Sequence, residues 1–413
     1  MQFRTVGLGV LLVAACSREP RFGGVQTIVE RGAANPTVGV DPHSGTVYVV
    51  WAGQGPDSAW NIYVARNKSG GGFTKPVRVN DRPGDVGTAK ENPPQVVVGR
   101  DGVVYVGWVS ERAPDHSPVP DINVRVARSS DSGATFEPST TVSVDGGGGS
   151  LANMYSDLAL APDGSLYVSW LDLHYYTDSS AAHEAHHVPD SVPVPDDHVD
   201  LRVARSIDGG RTFIGGAILD TGACICCRTA IASGPDGNPH ALWRHVFAGN
   251  VRDFYTASSP DRGRTFSAPV RVHEDGWVIN GCPDIGPDIA VDQDYVVHAV
   301  WYTAAPNRVG LWYAASRDSG AHFDAPVALL TDSYVPPAEV KVASYGDRTW
   351  VVWEDRRRPP GAIRFAGAGR RGSALLGPGE YPTIAAGGNR IAVAWVINGA
   401  VKVRVAESAL ADR

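Results

Sequence analysis

The chain has little of what makes a helical, nucleic-acid-binding or membrane-spanning protein. It lacks the Ala/Leu/Glu/Lys bias of long helices; 47 Gly and 30 Pro stand in its place, and only 20% of residues are charged. It also lacks a basic surplus. A formal net charge of -7 and a pI near 5.9 leave no concentrated basic face for a phosphate backbone, and the runs Arg356-Arg357-Arg358 and Arg370-Arg371 are too local to reverse that. Nucleic acid is therefore excluded as a partner. No apolar run is long enough to cross a bilayer as a mature helix. What is present, 43% hydrophobic residues in a chain of 413, buries a large core, and the composition points to an all-β fold.

The amino terminus reads as an export signal. Arg4 supplies positive charge, Val6 to Ala15 is uncharged and apolar, and Val13-Ala14-Ala15-Cys16 ends the stretch. This resembles the lipobox of bacterial lipoproteins, which implies cleavage after Ala15 and lipidation of Cys16. An ordinary export signal with a chance cysteine is the other reading. Ser17 is not the Asp of an inner-membrane retention signal, so the expected address is the outer membrane, on its periplasmic or outer side. The membrane is then a partner through the lipid alone.

A repeat organises the rest. Seven segments share a short apolar strand, a turn and an alternating strand that ends in Trp: Pro36 to Trp51, Pro94 to Trp108, Ser156 to Trp170, Thr229 to Trp243, Pro287 to Trp301, Glu339 to Trp353 and Pro382 to Trp395. Seven of the 11 Trp thus hold one repeat position. Turn pairs such as Ser44-Gly45, Asp163-Gly164 and Gly388-Asn389 tolerate the positive φ of a tight hairpin. Flanking runs such as Val47-Tyr48-Val49-Val50 are β-branched and aromatic. A third strand follows each Trp.

Four third strands run into Ser-x-Asp-x-Gly-x-x-Phe, with Asp131, Asp208, Asp261 and Asp318 at the acidic position and Phe136, Phe213, Phe266 and Phe323 closing it. Four copies in register make this a strong signal. It resembles the Asp box, or BNR repeat, of the sialidase superfamily. The Asp is expected to accept bonds from its own turn, Gly to supply the permissive dihedral and Phe to plug between sheets, a structural role. The resemblance implies an Asp-box β-propeller. Seven four-stranded blades are expected, with six, as in sialidases, the alternative. The seventh repeat runs out of chain before its fourth strand, and Arg21 to Val29 supplies the missing piece, closing the ring and removing its exposed edges. The domain plan is a signal peptide over 1–15, a tether over 16–24 and one propeller over 25–413, expected to be a monomer.

In such blades the short hairpins and Asp boxes mark one rim, and the crossings between blades mark the other. Enlarged loops on that second rim are the candidates for function. The stretch Leu171 to Asp200 separates the second and third strands of the third blade and holds His174, His183, Glu184, His186, His187 and His198, five of the 12 His. The next crossing carries Cys224, Cys226 and Cys227, and the one after it Cys282. Disulfides that tie loops together in an oxidising compartment are one reading. A soft-metal site of thiolates and imidazoles, with copper or zinc and with His183, His186 and His187 as further ligands, is the other.

The segment Cys224 to Pro287 is similar to bacterial Asp-box proteins of the sialidase-like type that lack the full catalytic set. In sialidases three arginines grip the sugar carboxylate, a Tyr activated by Glu attacks the anomeric carbon and an Asp is the acid/base. The early Phe/Tyr-Arg-Ile-Pro signature that supplies the first arginine is absent here, where the first repeat offers only Arg31. Arg228, Arg252, Asp157, Asp284, Glu380 and Tyr381 are the candidates that such a site would use, each with a plain alternative as a hydrogen-bonding residue at a channel mouth. Three functions fit: a surface module that binds a glycan or a protein, an exo-acting glycoside hydrolase or lyase, and a metal-binding periplasmic protein.

Overall fold

The structure, a computed structural model, describes residues 20–56, 58–68, 71–87, 92–112, 121–143, 153–173 and 198–407. Cys16, His174, His183, Glu184, His186 and His187 lie outside them. Among the described residues there is no α-helix, and no helix is long and apolar enough to cross a membrane.

After β1 (Arg21–Phe22) and β2 (Gln26–Val29), the chain forms β3 (Ala33–Val40), β4 (Val47–Gln54), β5 (Trp60–Asn67) and β6 (Val77–Arg78), the first blade. The second has β7 (Gln95–Val98), β8 (Val104–Arg112), β9 (Asp121–Ser129) and β10 (Thr140–Thr141). The third has β11 (Asn153–Leu160), β12 (Leu166–Asp172), β13 (Asp200–Ser206) and β14 (Ile214–Asp220). The fourth has β15 (Ala230–Ser233), β16 (Pro239–Phe247), β17 (Val251–Ser258) and β18 (Val270–Arg271). The fifth has β19 (Asp288–Val291), β20 (Val297–Thr303), β21 (Gly310–Ser316) and β22 (Val327–Thr331). The sixth has β23 (Val340–Tyr345), β24 (Arg348–Asp355), β25 (Ala362–Gly367) and β26 (Ala374–Pro378). The seventh has β27 (Glu380–Gly387), β28 (Arg390–Ile397) and β29 (Ala400–Glu407).

Seven blades stand in the ring, so the six-bladed alternative falls. Both β1 and β2 pair antiparallel with β29, as two halves of one outer strand: Arg21 opposes Glu407 and Gln26 opposes Val403. The seventh blade therefore begins at Arg21, ahead of the boundary expected at residue 25. The amino-terminal segment closes the ring because β29 otherwise presents an unpaired edge.

The core lies between neighbouring sheets. The repeat tryptophans Trp51, Trp108, Trp170, Trp243, Trp301, Trp353 and Trp395 are all buried. Most of their indoles donate to the preceding blade crossing or strand end, Trp170 to Asn153 Oδ1 at 2.9 Å, Trp243 to Asp220 Oδ2 at 2.6 Å and Trp301 to Asp275 Oδ2 at 2.7 Å. One side chain thus fills the gap between sheets and ties strand ends together at the rim, and truncating it to Ala costs about 3–5 kcal/mol.

The Asp boxes do what their chemistry dictates. Asp131 Oδ1 accepts the Ala134 and Thr135 amides at 3.0 and 2.9 Å and the Ser129 hydroxyl at 2.7 Å, and Oδ2 accepts the Thr135 hydroxyl at 2.6 Å. Asp208, Asp261 and Asp318 repeat the pattern. These bonds, led by the Thr212 hydroxyl, draw the Asp208 carboxyl down to about 2. Phe136 packs on the core between blades one and two, and Phe213 on the next.

Candidate functional site

Aligning the seven hairpins on their Trp identifies the residues that ring the central channel. The inner-strand residues opposite the position before Trp are Thr37, Gln95, Asp157, Ala230, Asp288, Lys341 and Thr383, in blade order. Residues two positions away share a strand face. The layer nearer the crossings is thus Asn35, Pro93, Tyr155, Arg228, Gly286, Glu339 and Tyr381, and the layer deeper in holds Gly39, Val97 and five alanines. Most of these residues line one cavity of about 430 Å³ along the channel. It is polar at the crossing rim and lined by small apolar residues below.

The charged residues of this mouth come from blades three to six and are engaged with one another. Arg228 donates to the Glu339 carboxylate across the fifth blade, both side chains buried. Gly286 holds the fifth-blade position, and a Cβ there would stand 2.7 Å from the Arg228 Cβ, so glycine is what lets the arginine pass. Lys341 Nζ lies 3.3 Å from Asp288 Oδ1. Asp157 Oδ2 accepts the Ile231 amide of the next blade at 2.9 Å, and Asp288 Oδ2 accepts Val342 N–H at 2.8 Å. These two acids are inter-blade staples. Burial, with the Asp288 charge adding to it against the pull of Lys341, pushes the Asp157 carboxyl up to about 6.

The other half of the ring, blades seven, one and two, is neutral and polar: Tyr381, Thr383, Asn35, Thr37 and Gln95. Thr37 Oγ1 is buried without a hydrogen-bond partner among the described residues. Bulges interrupt the inner strands at equivalent points in three blades, between Ala34 and Thr37, Met154 and Asp157, and Glu380 and Thr383. Asn35, Tyr155 and Tyr381 there take φ of 51, 59 and 53°. Asn tolerates this region; Tyr does not, and such strain is held where surroundings over-determine it. For Tyr381 part of the hold is its amide, which donates to Glu354. Burial, reinforced by Glu339 and Glu380, pushes the Glu354 carboxyl up to about 7 despite Arg356 beside it.

Arg252 and Asp284 do not join the channel; both sit at the cysteines. Cys224 Sγ lies 3.8 Å from Cys226 Sγ and 3.1 Å from Cys227 Sγ, all three buried, and the Arg252 guanidinium donates to Cys224 Sγ at 3.1 Å. Exposed Cys282 and half-buried Asp284 gather with Cys226 within 4.8 Å. Among the described cysteines no pair stands at disulfide distance, so the expected clamp between blades four and five is not shown. Hydrogen bonds from Cys226 and Cys227 hold the Cys224 thiol well below its usual range, and Arg252 and Arg244 add to this. The cysteines lie on the crossings after β14 and β18, the rim from which the stretch between β12 and β13 departs. The Asp boxes lie at the opposite rim.

Similarity to solved structures follows the architecture. The chain matches the Hadza microbial sialidase Hz136 with a TM-score of 0.56 at 16% identity, covering 85% of this chain and 73% of that one. The fold is that of a sialidase-like propeller. It also matches a PL25 polysaccharide lyase, an ulvan lyase bound to -[GlcA(1-4)Rha3S]-, with a TM-score of 0.55 at 12% identity over 94% of this chain and 96% of that one. A protein of unknown function from Dyadobacter fermentans DSM 18053 matches at 0.52 and 16% identity, over 76% and 94%. Neither a family model nor a curated protein matches the sequence. At such identities the likeness speaks to the fold alone.

Of the residues singled out in the sequence, the sialidase-like propeller brings Arg228, Asp157 and Tyr381 to one cavity, with Glu380 beside it. Sequence reasoning missed Thr37, Gln95, Asp288, Glu339, Lys341 and Glu354. All but Glu354 were within reach, since they hold the channel positions of the repeat. Glu354, on the second strand, had no such signal.

Proposed function

We propose that this chain is an envelope-anchored propeller that binds a glycan at the crossing rim of its channel without cleaving it. The observation that carries the reading is the division of the mouth. Its ionised side chains are committed to intramolecular partners, Arg228 to Glu339 and Lys341 to Asp288, whereas the opposite half is lined by neutral amides and hydroxyls. Such groups both donate and accept, as sugar hydroxyls do. The partnerless Thr37 hydroxyl suits a ligand oxygen or a water. Of the arginines among the described residues only Arg228 lines the cavity, which leaves carboxylate capture by an arginine trio without support. The solved structures named above, a sialidase and a polysaccharide lyase, favour a glycan as the ligand class. The anchor at Cys16 and the outer-membrane address rest on the sequence.

The test is a glycan array with the Cys16→Ser mature chain, followed by calorimetry. Thr37→Val and Gln95→Leu are each expected to weaken binding about tenfold, near the worth of one hydrogen bond, with no turnover. Absence of binding to any glycan overturns the reading. The hydrolase reading is favoured by one observation, a strained Tyr381 flanked by Glu354 and Glu380 in the same mouth as Asp157. Hydrolysis of fluorogenic glycosides that is lost on Tyr381→Phe decides for it.

A further inference from the structure

We propose that Cys224, Cys226 and Cys227 form a binding site for one thiophilic d10 cation, zinc or cuprous copper, on the crossing rim, with Cys282 and Asp284 as its solvent-facing flank. The site lies apart from the channel and does not depend on the glycan reading.

Geometry is the first support. A zinc–thiolate bond of about 2.3 Å sets sulfurs on a tetrahedron about 3.8 Å apart. The Cys224–Cys226 separation is 3.8 Å, and all three sulfurs lie within 4.8 Å of one another. Cys227 stands closer to Cys224, at 3.1 Å, so admitting an ion asks these two sulfurs to part by about 0.7 Å. The three side chains come from four consecutive residues, and neighbours in an extended strand point apart. A tight turn makes them converge: Cys227 N–H donates to Cys224 O at 3.2 Å, and Cys224 N–H donates to Arg244 O at 2.8 Å. The turn is thus fastened to β16, a rigid mount for ligands.

Charge is the second. Arg252 places a guanidinium N–H 3.1 Å from Cys224 Sγ. A cation so placed stabilises a thiolate, whereas a disulfide sulfur carries no charge to stabilise. Arg244, 1% exposed, lies with its guanidinium 4.1 Å from the Phe254 ring and 4.9 Å from the Trp277 ring and donates to the carbonyls of Arg252, Ile285 and Tyr302. Three thiolates and a divalent ion sum to one negative charge, three thiolates and a monovalent ion to two, and two fixed arginines beside the cluster offset either. Cys224 to Cys227 and Cys282 also belong to successive crossings, so an ion held here stiffens the contact of blades four and five.

The experiment uses the whole chain, exported by its own signal and purified without a histidine tag. Elemental analysis is expected to find about one equivalent of zinc or copper per chain, and which element is found separates the two sources. Cobalt substitution is expected to give a thiolate-to-metal charge-transfer band in the wild-type protein, a readout that needs no variant to fold. Cys224→Ser and Cys227→Ser should each weaken retention at least about tenfold and Arg252→Met by about as much, the size of a lost supporting contact or ligand. Three results overturn the proposal: Cys224–Cys227 and Cys226–Cys282 disulfides mapped in the exported protein; free thiols that take up neither zinc nor cuprous ion under reducing conditions; or metal retained in the Cys224→Ser/Cys227→Ser double variant, which would assign it to other residues.

Discussion

Replacing Glu354 by Gln should stabilise the protein near neutral pH and do nothing in acid. The side chain is 2% exposed, and its carboxyl stands at about 7 against an ordinary 4.5. Burial is the main cause. Arg356 Nε, 3.2 Å away, does not compensate, because Arg356 is 36% exposed and its charge is shared with water. The folded state therefore prefers the protonated acid. The stability that preference contributes is fully present below about pH 4.5 and is lost as pH rises through about 7. A displacement of about 2.5 units at 1.36 kcal/mol each makes the loss about 3 kcal/mol. Gln mimics the neutral acid and escapes it. Urea unfolding of both proteins at about pH 4.5, 6 and 8 should show curves that coincide in acid and a variant more stable by about 2–3 kcal/mol at the alkaline end. In melting temperature this is on the order of 5 °C. A variant less stable at about pH 8 would mean that the ion pair with Arg356 dominates, and an equal difference at all three pH values would mean that ionisation of Glu354 is not the cause; either would refute the reasoning.

Three further predictions address the mouth and the rims. Arg228→Met or Glu339→Leu alone should cost about 3–5 kcal/mol by leaving a buried charge, while the double variant recovers most of the loss, as a double-mutant cycle in urea will report. Gly286→Ala should drive a Cβ to 2.7 Å from the Arg228 Cβ and carbonyl oxygen, costing about 1–3 kcal/mol and weakening any ligand bound at the channel, checked by melting and calorimetry. Asp131→Ala removes the acceptor for two turn amides and two hydroxyls at the opposite rim; it should lower stability by about 1–2 kcal/mol and leave both glycan and metal binding unchanged.

The ring is legible in the chain's own pattern, because every device that builds it is local or periodic. Trp at one repeat position, turn pairs between strands and the Ser-x-Asp-x-Gly-x-x-Phe box are all legible within a few residues. They specify hairpins that bury one edge against the next sheet, and the missing outer strand of the seventh blade pointed to the amino terminus. Tertiary structure alone decided which polar residues meet. Arg228 and Glu339 are 111 positions apart and touch only because the fifth blade presents glycine between them. Arg252 and Asp284, equally plausible in sequence beside Arg228 and Asp157, turn away to the thiols, since they follow crossings and strand ends instead of the inner-strand register. Pattern tells which strand a residue is on and which face it shares; which charges cancel across a channel depends on closure of the ring, and no window of sequence contains that.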